Sequence, residues 1–211
     1  MQNSHIIGGE FGINLQGFQY AQSNNGFLEG IYKYSSGRSA LYYILLDVQK
    51  RYGITTAYLP NYLCSSVVVA AEKSQVKVVF YNLNDQLEID IEKFPLDDNE
   101  KAAVLLINYF GLKSLQLQVE LVRSISMEAI VIEDDVQAFY EFCKPELAAD
   151  YKFTSLRKTF ACPDGGLVKT AKQLTVVTEV NKFHQFKLAG CILKSLHKPK
   201  YYDDDVLKRA F

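Results

Sequence analysis

Short apolar segments that alternate with amphipathic ones constrain the fold of this chain more than any other feature. Two of them, KAAVLLINYFG (101–111) and AIVIEDD (129–135), are almost continuously apolar before they end in polar residues. Such runs are typical of strands in a parallel sheet that is covered on both faces. The segments TTAYLP, KVVFYNL, YKFTSL and GLVKT predict further strands. This order of elements predicts an α/β fold with a mainly parallel, mixed sheet flanked by helices.

The segments between the strands predict the helices. Residues 36–53 have a serine that can cap a helix, apolar residues at helical spacing and a closing glycine. We assign SSVVVAAEKS to a helix despite its valines, because it must cross over between two strands. LQLQVELVRSIS is a further helix, and residues 171–196 are predicted to form mostly one long helix.

Composition and charge exclude several classes of partner. With 48% hydrophobic and 22% charged residues among 211, the chain can bury a substantial core. Its net charge is −1, and no stripe of Lys and Arg indicates nucleic-acid binding. No apolar run approaches the roughly 20 residues of a membrane-spanning helix, and no signal-peptide pattern is present. The four cysteines and three histidines lack metal-ligand spacing. We therefore expect a cytoplasmic protein with reduced thiols and no metal.

The residues that follow the strands are the candidates for a binding site, because ligands of such sheets bind at the carboxyl ends of the strands. They are Asn61 and Tyr62, Asn108, Glu133 to Gln137, and Ser155 to Lys158.

Three of these features admit two interpretations each. The acids in IEDDVQAF are either a solvated pair at a strand end or a cap for the next helix, or they are carboxylates aimed at a ligand cation or a metal. Gly37, Arg38 and Ser39 form either a plain helix start or an anion site at a helix N-terminus. Lys158 is either a surface lysine or a reactive amine whose pKa is lowered by burial or by a neighbouring cation.

Together, in chain order, these features give an anion site, an aromatic residue, an acid and a lysine. Pyridoxal phosphate requires all four, for its phosphate, its ring, its pyridine nitrogen and its aldehyde. The combination predicts that this cofactor is bound.

The wording of these motifs resembles the sugar aminotransferases of the DegT/DnrJ/StrS type, which are fold-type I pyridoxal-phosphate enzymes. The resemblance covers about residues 30–170. It rests on Gly37-Arg38-Ser39-Ala40-Leu41, Pro60 with Tyr62, Asn108-Tyr109-Phe110-Gly111, Glu133-Asp134-Asp135-Val136-Gln137-Ala138, and Lys158 followed by Gly165-Gly166.

The resemblance implies a role for each matching residue. Lys158 would bond to the cofactor, Asp134 would pair with the pyridine nitrogen, and Gln137 would lie near the phenolic oxygen of the ring. The other implied cofactor-binding residues are Gly37, Arg38, Ser39, Tyr62, Asn108 and Ser155. The chain departs from the family pattern at Phe153, where a phosphate-binding serine is usual, so that Thr154 and Ser155 are the nearest hydroxyls. It departs again at Cys64, where a stacking aromatic is usual.

The resemblance also implies a function and a domain organisation. The expected reaction moves an amino group from an amino acid, glutamate for example, to a keto-sugar linked to a nucleotide, in the biosynthesis of cell-surface polysaccharide. A homodimer is implied. Residues 1–34 would form an N-terminal arm, 35–190 the large cofactor-binding domain, and 191–211 the start of a truncated or missing small domain. Because the family's chains are longer, the alternative is a non-catalytic module that binds cofactor or a partner without turnover.

Overall fold

A seven-stranded mixed sheet organises the protein. The computed structural model describes residues 30–160, 162–175 and 184–196. The strand order is β1-β7-β6-β5-β4-β2-β3. The five strands β2 to β6 run parallel to one another, and β7 is antiparallel to both β1 and β6. The strands are β1 Ile31–Tyr34, β2 Thr56–Pro60, β3 Lys77–Tyr81, β4 Ala103–Ile107, β5 Ile130–Asp134, β6 Tyr151–Ser155 and β7 Gly166–Lys169. The mainly parallel α/β fold predicted from the sequence is confirmed.

Helices connect the strands and cover the sheet. They are α1 Gly37–Tyr52, α2 Ser65–Lys73, α3 Gln116–Ile125, α4 Phe139–Cys143 and α5 His184–Leu196. Single 3₁₀ turns occupy Ile91–Lys93, Tyr109–Gly111 and Leu156–Lys158. The positions predicted for α1, α2 and α3 are confirmed. The assignment of α2 was decided by topology, because two parallel strands can be joined only by a crossover.

The side chains of the central strands alternate between two apolar layers. Leu105, Ile132 and Phe153 belong to the layer that includes α1 and α2, whereas Leu106 and Val131 belong to the layer that includes α3. This alternation follows from the period of two along a strand. It also fixes the face toward which each residue at the strand ends points.

Helix α1 begins and ends as its sequence predicts. Ser36 is the N-cap, and its Oγ accepts a hydrogen bond of 3.1 Å from the N–H of Ser39. At the other end Gly53 adopts the left-handed conformation, with φ of +68°, and its N–H donates to the carbonyl of Gln49. The buried face of the helix, which includes Ile44, packs on the sheet.

The prediction of one long helix over 171–196 is wrong for residues 171–175. These residues form bends, and the backbone N–H of Thr175 donates to the buried carboxylate of Asp47 at 2.7 Å. Tyr151 donates to the same carboxylate at 2.7 Å. Contacts with α1 and β6 therefore outweigh the local helical pattern. Helix α5 begins at His184, and residues 176–183 of the predicted helix lie outside the described residues.

The sheet extends into the segment that we assigned to the N-terminal arm. Ile31–Tyr34 pairs antiparallel with β7, whereas residues 1–29 lie outside the described residues. Helix α5 runs through the boundary that we placed at residue 190. The division into domains stays a prediction.

Candidate functional site

The N-terminus of α1 lies against the ends of β6 and β7. A Cβ at Gly166 would be 2.2 Å from the carbonyl oxygen of Ser36, and a Cβ at Gly37 would be 3.0 Å from the Cβ of Ser155. Both glycines therefore permit an approach that a side chain would block. The Cβ at Gly37 would also be 3.4 Å from Val136, so the start of α1 meets the ends of β5 and β6 together.

Hydroxyl groups surround this helix start. The hydroxyl of Ser39 lies 3.0 Å from both the Ser35 and the Ser36 hydroxyls, and the Ser155 hydroxyl would be 3.6 Å from a Cβ at Gly37. The N–H groups of the first helical turn have no acceptor within the helix. Together with the exposed guanidinium of Arg38, they form a site suited to a phosphate.

Asp134 ends β5 as a buried carboxyl group. It is 6% exposed, and its Oδ1 accepts a hydrogen bond of 2.9 Å from the N–H of Val136. Among the residues that the structure describes, no cation forms an ion pair with it. Burial raises the pKa of Asp134 to about 7, against the smaller opposing effect of the Val136 N–H. A cation that binds beside this carboxyl would stabilise its ionised form.

Two stacked tyrosines lie beside Asp134. The rings of Tyr62 and Tyr109 have centroids 5.7 Å apart and planes inclined by 29°. The Tyr109 hydroxyl donates to the carbonyl oxygen of Tyr62, which locks the pair. Burial and then the charge of Asp134 raise the pKa of Tyr109. The residue before Tyr109, Asn108, donates its backbone N–H to the carbonyl of Asp134 at 3.0 Å. Tyr62 is 60% exposed, so this pair presents an aromatic surface.

The 3₁₀ turn that carries Lys158 is tied to the same helix start. The N–H of Leu156 donates to the carbonyl of Gly165 at 2.9 Å, and the N–H of Gly165 donates to the carbonyl of Ser35 at 3.0 Å. The Lys158 side chain is exposed. Lys158 therefore lies on the surface, and the turn that carries it is fixed against the start of α1.

Cys64 lies near the cationic side chains of this cluster. Hydrogen bonds with Ser66, whose hydroxyl donates to the sulfur at 3.2 Å, and the charges of Lys158 and Arg38 lower the pKa of the Cys64 thiol. These effects place the thiol within electrostatic range of both cations. The cluster therefore combines an anion site, a buried carboxyl, an aromatic pair, an amine and a thiol.

Cys64 is expected to react with iodoacetamide faster than the other three cysteines, because it is exposed and its pKa is lowered. Burial raises the pKa of Cys143 and of Cys162, which slows their reaction at neutral pH. Mass spectrometry of partly alkylated protein at pH 7 measures the four rates. The Lys158→Ala variant should slow the reaction of Cys64 and leave that of Cys143 unchanged. Equal rates at all four cysteines would contradict the lowered pKa of Cys64, and an unchanged Cys64 rate in Lys158→Ala would contradict the effect of Lys158 on this thiol.

Two residues assigned from the sequence lie differently from the rest. Asn108 is buried, and its side-chain amide donates to Asp135 at 3.2 Å on the face of the sheet opposite Asp134. Its backbone N–H, by contrast, donates to the carbonyl of Asp134. Gln137 is exposed, and its carbonyl would be 3.7 Å from a Cβ at Gly111. The structure therefore brings together the other assigned residues, at Gly37 to Ser39, Tyr62, Asp134, Ser155 and Lys158.

Sequence reasoning missed Tyr109, although the alternation along β4 could have found it. Ile107 is paired with Asp134 and shares its face of the sheet. Asn108 consequently points to the other face, and Tyr109 returns to the side of Asp134. The sequence likewise did not predict the contact between Ser36 and Gly166, since this contact depends on how α1 lies against β7.

Solved structures with a similar fold allow this cluster to be compared with known proteins. A NifS-like protein superimposes with a TM-score of 0.56 and 18% identity over 75% of this chain and 47% of its own. NtdA from Bacillus subtilis, with bound cofactor PMP, gives 0.54 and 20% over 78% and 35%. A DegT/DnrJ/EryC1/StrS aminotransferase from Brucella abortus gives 0.51 and 16% over 70% and 44%.

The chain has the fold of these proteins. It spans less than half the length of each of them. No protein-family model and no curated protein matches the sequence. At this identity the shared property is the fold of the sheet and its helices, so the chemistry must be argued from the cluster itself.

In the described part of the chain, no group of three or more His, Cys, Asp and Glu side chains is placed to hold a metal ion. No helix of that part is both long enough and apolar enough to cross a membrane.

An apolar cleft of about 370 Å³ is lined by Gly165 and Gly166, and Phe139, Phe160 and Leu167 also contribute to its walls. Neither Asp134 nor Lys158 lines it.

Proposed function

We propose that the chain binds pyridoxal 5′-phosphate in the cluster at the carboxyl ends of β5 and β6. The observation that carries this proposal is the buried Asp134 carboxyl, which ends a strand beside the start of α1. Among the described residues its one hydrogen-bond partner is a backbone N–H, that of Val136. A protonated pyridine nitrogen is a cation of the kind that such a carboxyl can pair with.

The remaining groups fit the cofactor. The first turn of α1, with Arg38 and the hydroxyls of Ser39 and Ser155, would hold the phosphate. Tyr62 would supply an aromatic surface for the ring, and Lys158 would supply the amine that anchors the aldehyde. Asn108 and Gln137 stay proposed as further contributors, Asn108 through its backbone bond to Asp134.

The proposed reaction is a transamination. When bound, the cofactor supplies an electron-withdrawing ring that stabilises negative charge on the reacting carbon. Asp134, as a carboxylate, would keep the ring nitrogen protonated. The Lys158 amine, once released by the incoming amino group, would remove and return a proton at the reacting carbon as general base and acid. The N-terminus of α1 would orient the cofactor throughout.

The identity of the substrates and the assembly are proposed from the resemblance of the sequence motifs and from the kinds of protein that share this fold. The proposed donor is an amino acid such as glutamate, and the proposed acceptor is a nucleotide-linked keto-sugar used for cell-surface polysaccharide. A homodimer in the cytoplasm is proposed in the same way. One similar structure is a putative sugar aminotransferase from Streptococcus pneumoniae in its PMP form.

A non-catalytic module is the second candidate function. The observation that favours it is the exposure of Lys158, because burial is one of the means by which a lysine becomes reactive. Such a module would bind the cofactor through the same cluster and lack turnover.

Purified protein mixed with pyridoxal phosphate is expected to develop a visible absorption band that the Lys158→Ala variant lacks. Borohydride reduction should then attach the cofactor to the peptide that contains Lys158, which mass spectrometry detects. The matched control is Lys101→Ala, because Lys101 is an exposed lysine at the amino end of β4, where the opposite edge of the sheet lies. This variant should retain the band.

The outcomes separate the two candidate functions. A band that changes when glutamate or another amino donor is added supports the transaminase. A band that no amino donor changes supports the non-catalytic module. Protein that never takes up the cofactor would overturn both.

A further inference from the structure

Three ionisable side chains are buried together on the face of the sheet opposite Asp134. Glu133 is 3% exposed, Asp135 is fully buried, and Lys152 is 5% exposed. The Lys152 ammonium lies 3.2 Å from a Glu133 oxygen and 3.8 Å from Oδ2 of Asp135. One cation therefore faces two carboxyl groups, and the cluster is electrically neutral only when one of them carries a proton.

Asp135 is held by four hydrogen bonds that leave one atom unsatisfied. Its Oδ1 accepts from Asn108, its N–H donates to Phe153, and its carbonyl accepts from the Thr154 hydroxyl and from the Ala138 N–H. In the part of the chain that the structure describes, Oδ2 has no hydrogen-bond donor. Leaving a buried carboxylate oxygen without a donor is costly.

A proton on Asp135 resolves this cost. The protonated carboxyl becomes a donor, and the Glu133 carboxylate, which faces the same Lys152 ammonium, is the neighbouring acceptor. Burial and then the charge of Glu133 raise the pKa of Asp135 to about 8, against the opposing charge of Lys152. The neutral form of Asp135 therefore persists to higher pH than that of an exposed aspartate.

Other elements also place charged or ionisable groups around Asp135. Helix α4 and the residue after it contribute Cys143 and Lys144, and β7 contributes Lys169, and the charge of Asp135 affects the pKa of each. Burial and then Lys152 lower the pKa of Lys169. These more distant cations do not offset burial, so the neutral form of Asp135 is preferred below its pKa.

The state of Asp135 bears on Asp134 because the two are consecutive. Side chains of consecutive strand residues point to opposite faces, so anchoring Asp135 on one face directs Asp134 to the other. The following residue, Val136, donates its N–H to Asp134 Oδ1 at 2.9 Å. A rotation of the backbone at 135 would move both the carboxyl of Asp134 and the N–H that orients it.

We propose that neutral Asp135 is a positioning residue that holds Asp134 toward the start of α1, and that ionisation of Asp135 releases this orientation. The consequence for a ligand rests on the proposed function, whereas the local rearrangement does not. Cofactor binding on one face of the sheet would then depend on whether Asp135, on the other face, is protonated.

Hydrogen exchange of the cofactor-free protein tests the rearrangement directly. The protection of the Val136 amide, corrected for the intrinsic exchange rate at each pH, should fall by about tenfold, the equivalent of one lost hydrogen bond. The fall should have a midpoint near pH 8. The amide of Leu105, in the centre of β4, should keep its protection, which distinguishes a local change from general unfolding.

Two variants assign the effect to the Asp135 proton. Asp135→Asn mimics the neutral form, so protection of Val136 should stay high at alkaline pH. Glu133→Gln removes a charge that raises the pKa of Asp135, so the midpoint should move to lower pH. A Val136 amide without any step, or a step that persists in Asp135→Asn, would overturn the proposal.

Titrations with pyridoxal phosphate at pH 7 and pH 9 test whether the ionisation of Asp135 weakens cofactor binding. Wild-type protein should bind pyridoxal phosphate more weakly at pH 9 than Asp135→Asn does, while the two bind alike at pH 7. Equal affinities at pH 9, despite the step in hydrogen exchange, would overturn the link to the cofactor. If no variant binds the cofactor, the proposed function fails, and the exchange data still decide the role of Asp135.

Discussion

Replacement of Gly166 by alanine is expected to destabilise the protein by about 3 kcal/mol, at the upper end of what an inserted methyl group usually costs. The added Cβ would be 2.2 Å from the carbonyl oxygen of Ser36, 2.4 Å from its carbonyl carbon and 2.9 Å from the nitrogen of Gly37. All three are backbone atoms at the start of α1, so no side-chain rotation relieves the overlap. Either α1 or β7 must move.

Urea unfolding, followed by circular dichroism, measures this loss as a lower midpoint with an unchanged slope. The control is Gly53→Ala at the other end of α1, where a Cβ meets no atom within 4 Å. Its φ of +68° makes alanine unfavourable by roughly 1 to 2 kcal/mol. Gly166 does not have a left-handed φ, so a loss at position 166 no larger than that at Gly53 would mean that the start of α1 shifts to accommodate the methyl group.

The fold could be predicted because the strongest signals in the sequence are local. β4 is apolar throughout and β5 is apolar in its first three residues, and runs of this kind are typical of strands buried on both faces. The error at residues 171–175 has the opposite origin. There the decisive bond joins Thr175 to Asp47, 128 residues apart, and no local pattern reports it.

The candidate site was predicted in its composition better than in its geometry. Motif order brought Asp134, Ser155 and Lys158 to one edge of the sheet, because the ends of neighbouring parallel strands meet there. Which of two consecutive residues faces the site depends on where each strand ends, and Asn108 and Tyr109 show this dependence. The exposure of Lys158 follows from the 3₁₀ turn after β6, which the sequence did not indicate.

Asp134→Asn is expected to stabilise the cofactor-free protein at pH 8 while weakening cofactor binding. The pKa of Asp134 is about 7 in the folded protein and 3.8 as its ordinary value. The unfolded chain therefore releases this proton at lower pH than the folded protein, and stability falls as pH rises from about 4 to about 7. An uncharged amide avoids that loss, which corresponds to about 4 kcal/mol.

The substitution is expected to raise stability and to weaken cofactor binding, and a general loss of structure would not produce both results. Unfolding of cofactor-free protein should show the gain at pH 8 and almost none at pH 4, where the carboxyl is protonated in the folded state. Asp98→Asn, on an exposed loop residue, should change neither stability nor cofactor binding. With pyridoxal phosphate added, the melting temperature of wild-type protein should rise more than that of Asp134→Asn, because the amide cannot pair with a ring cation. An Asp134→Asn protein that is less stable at pH 8, or that gains as much from the cofactor as wild type, would mean that this carboxyl serves the fold and not a ligand.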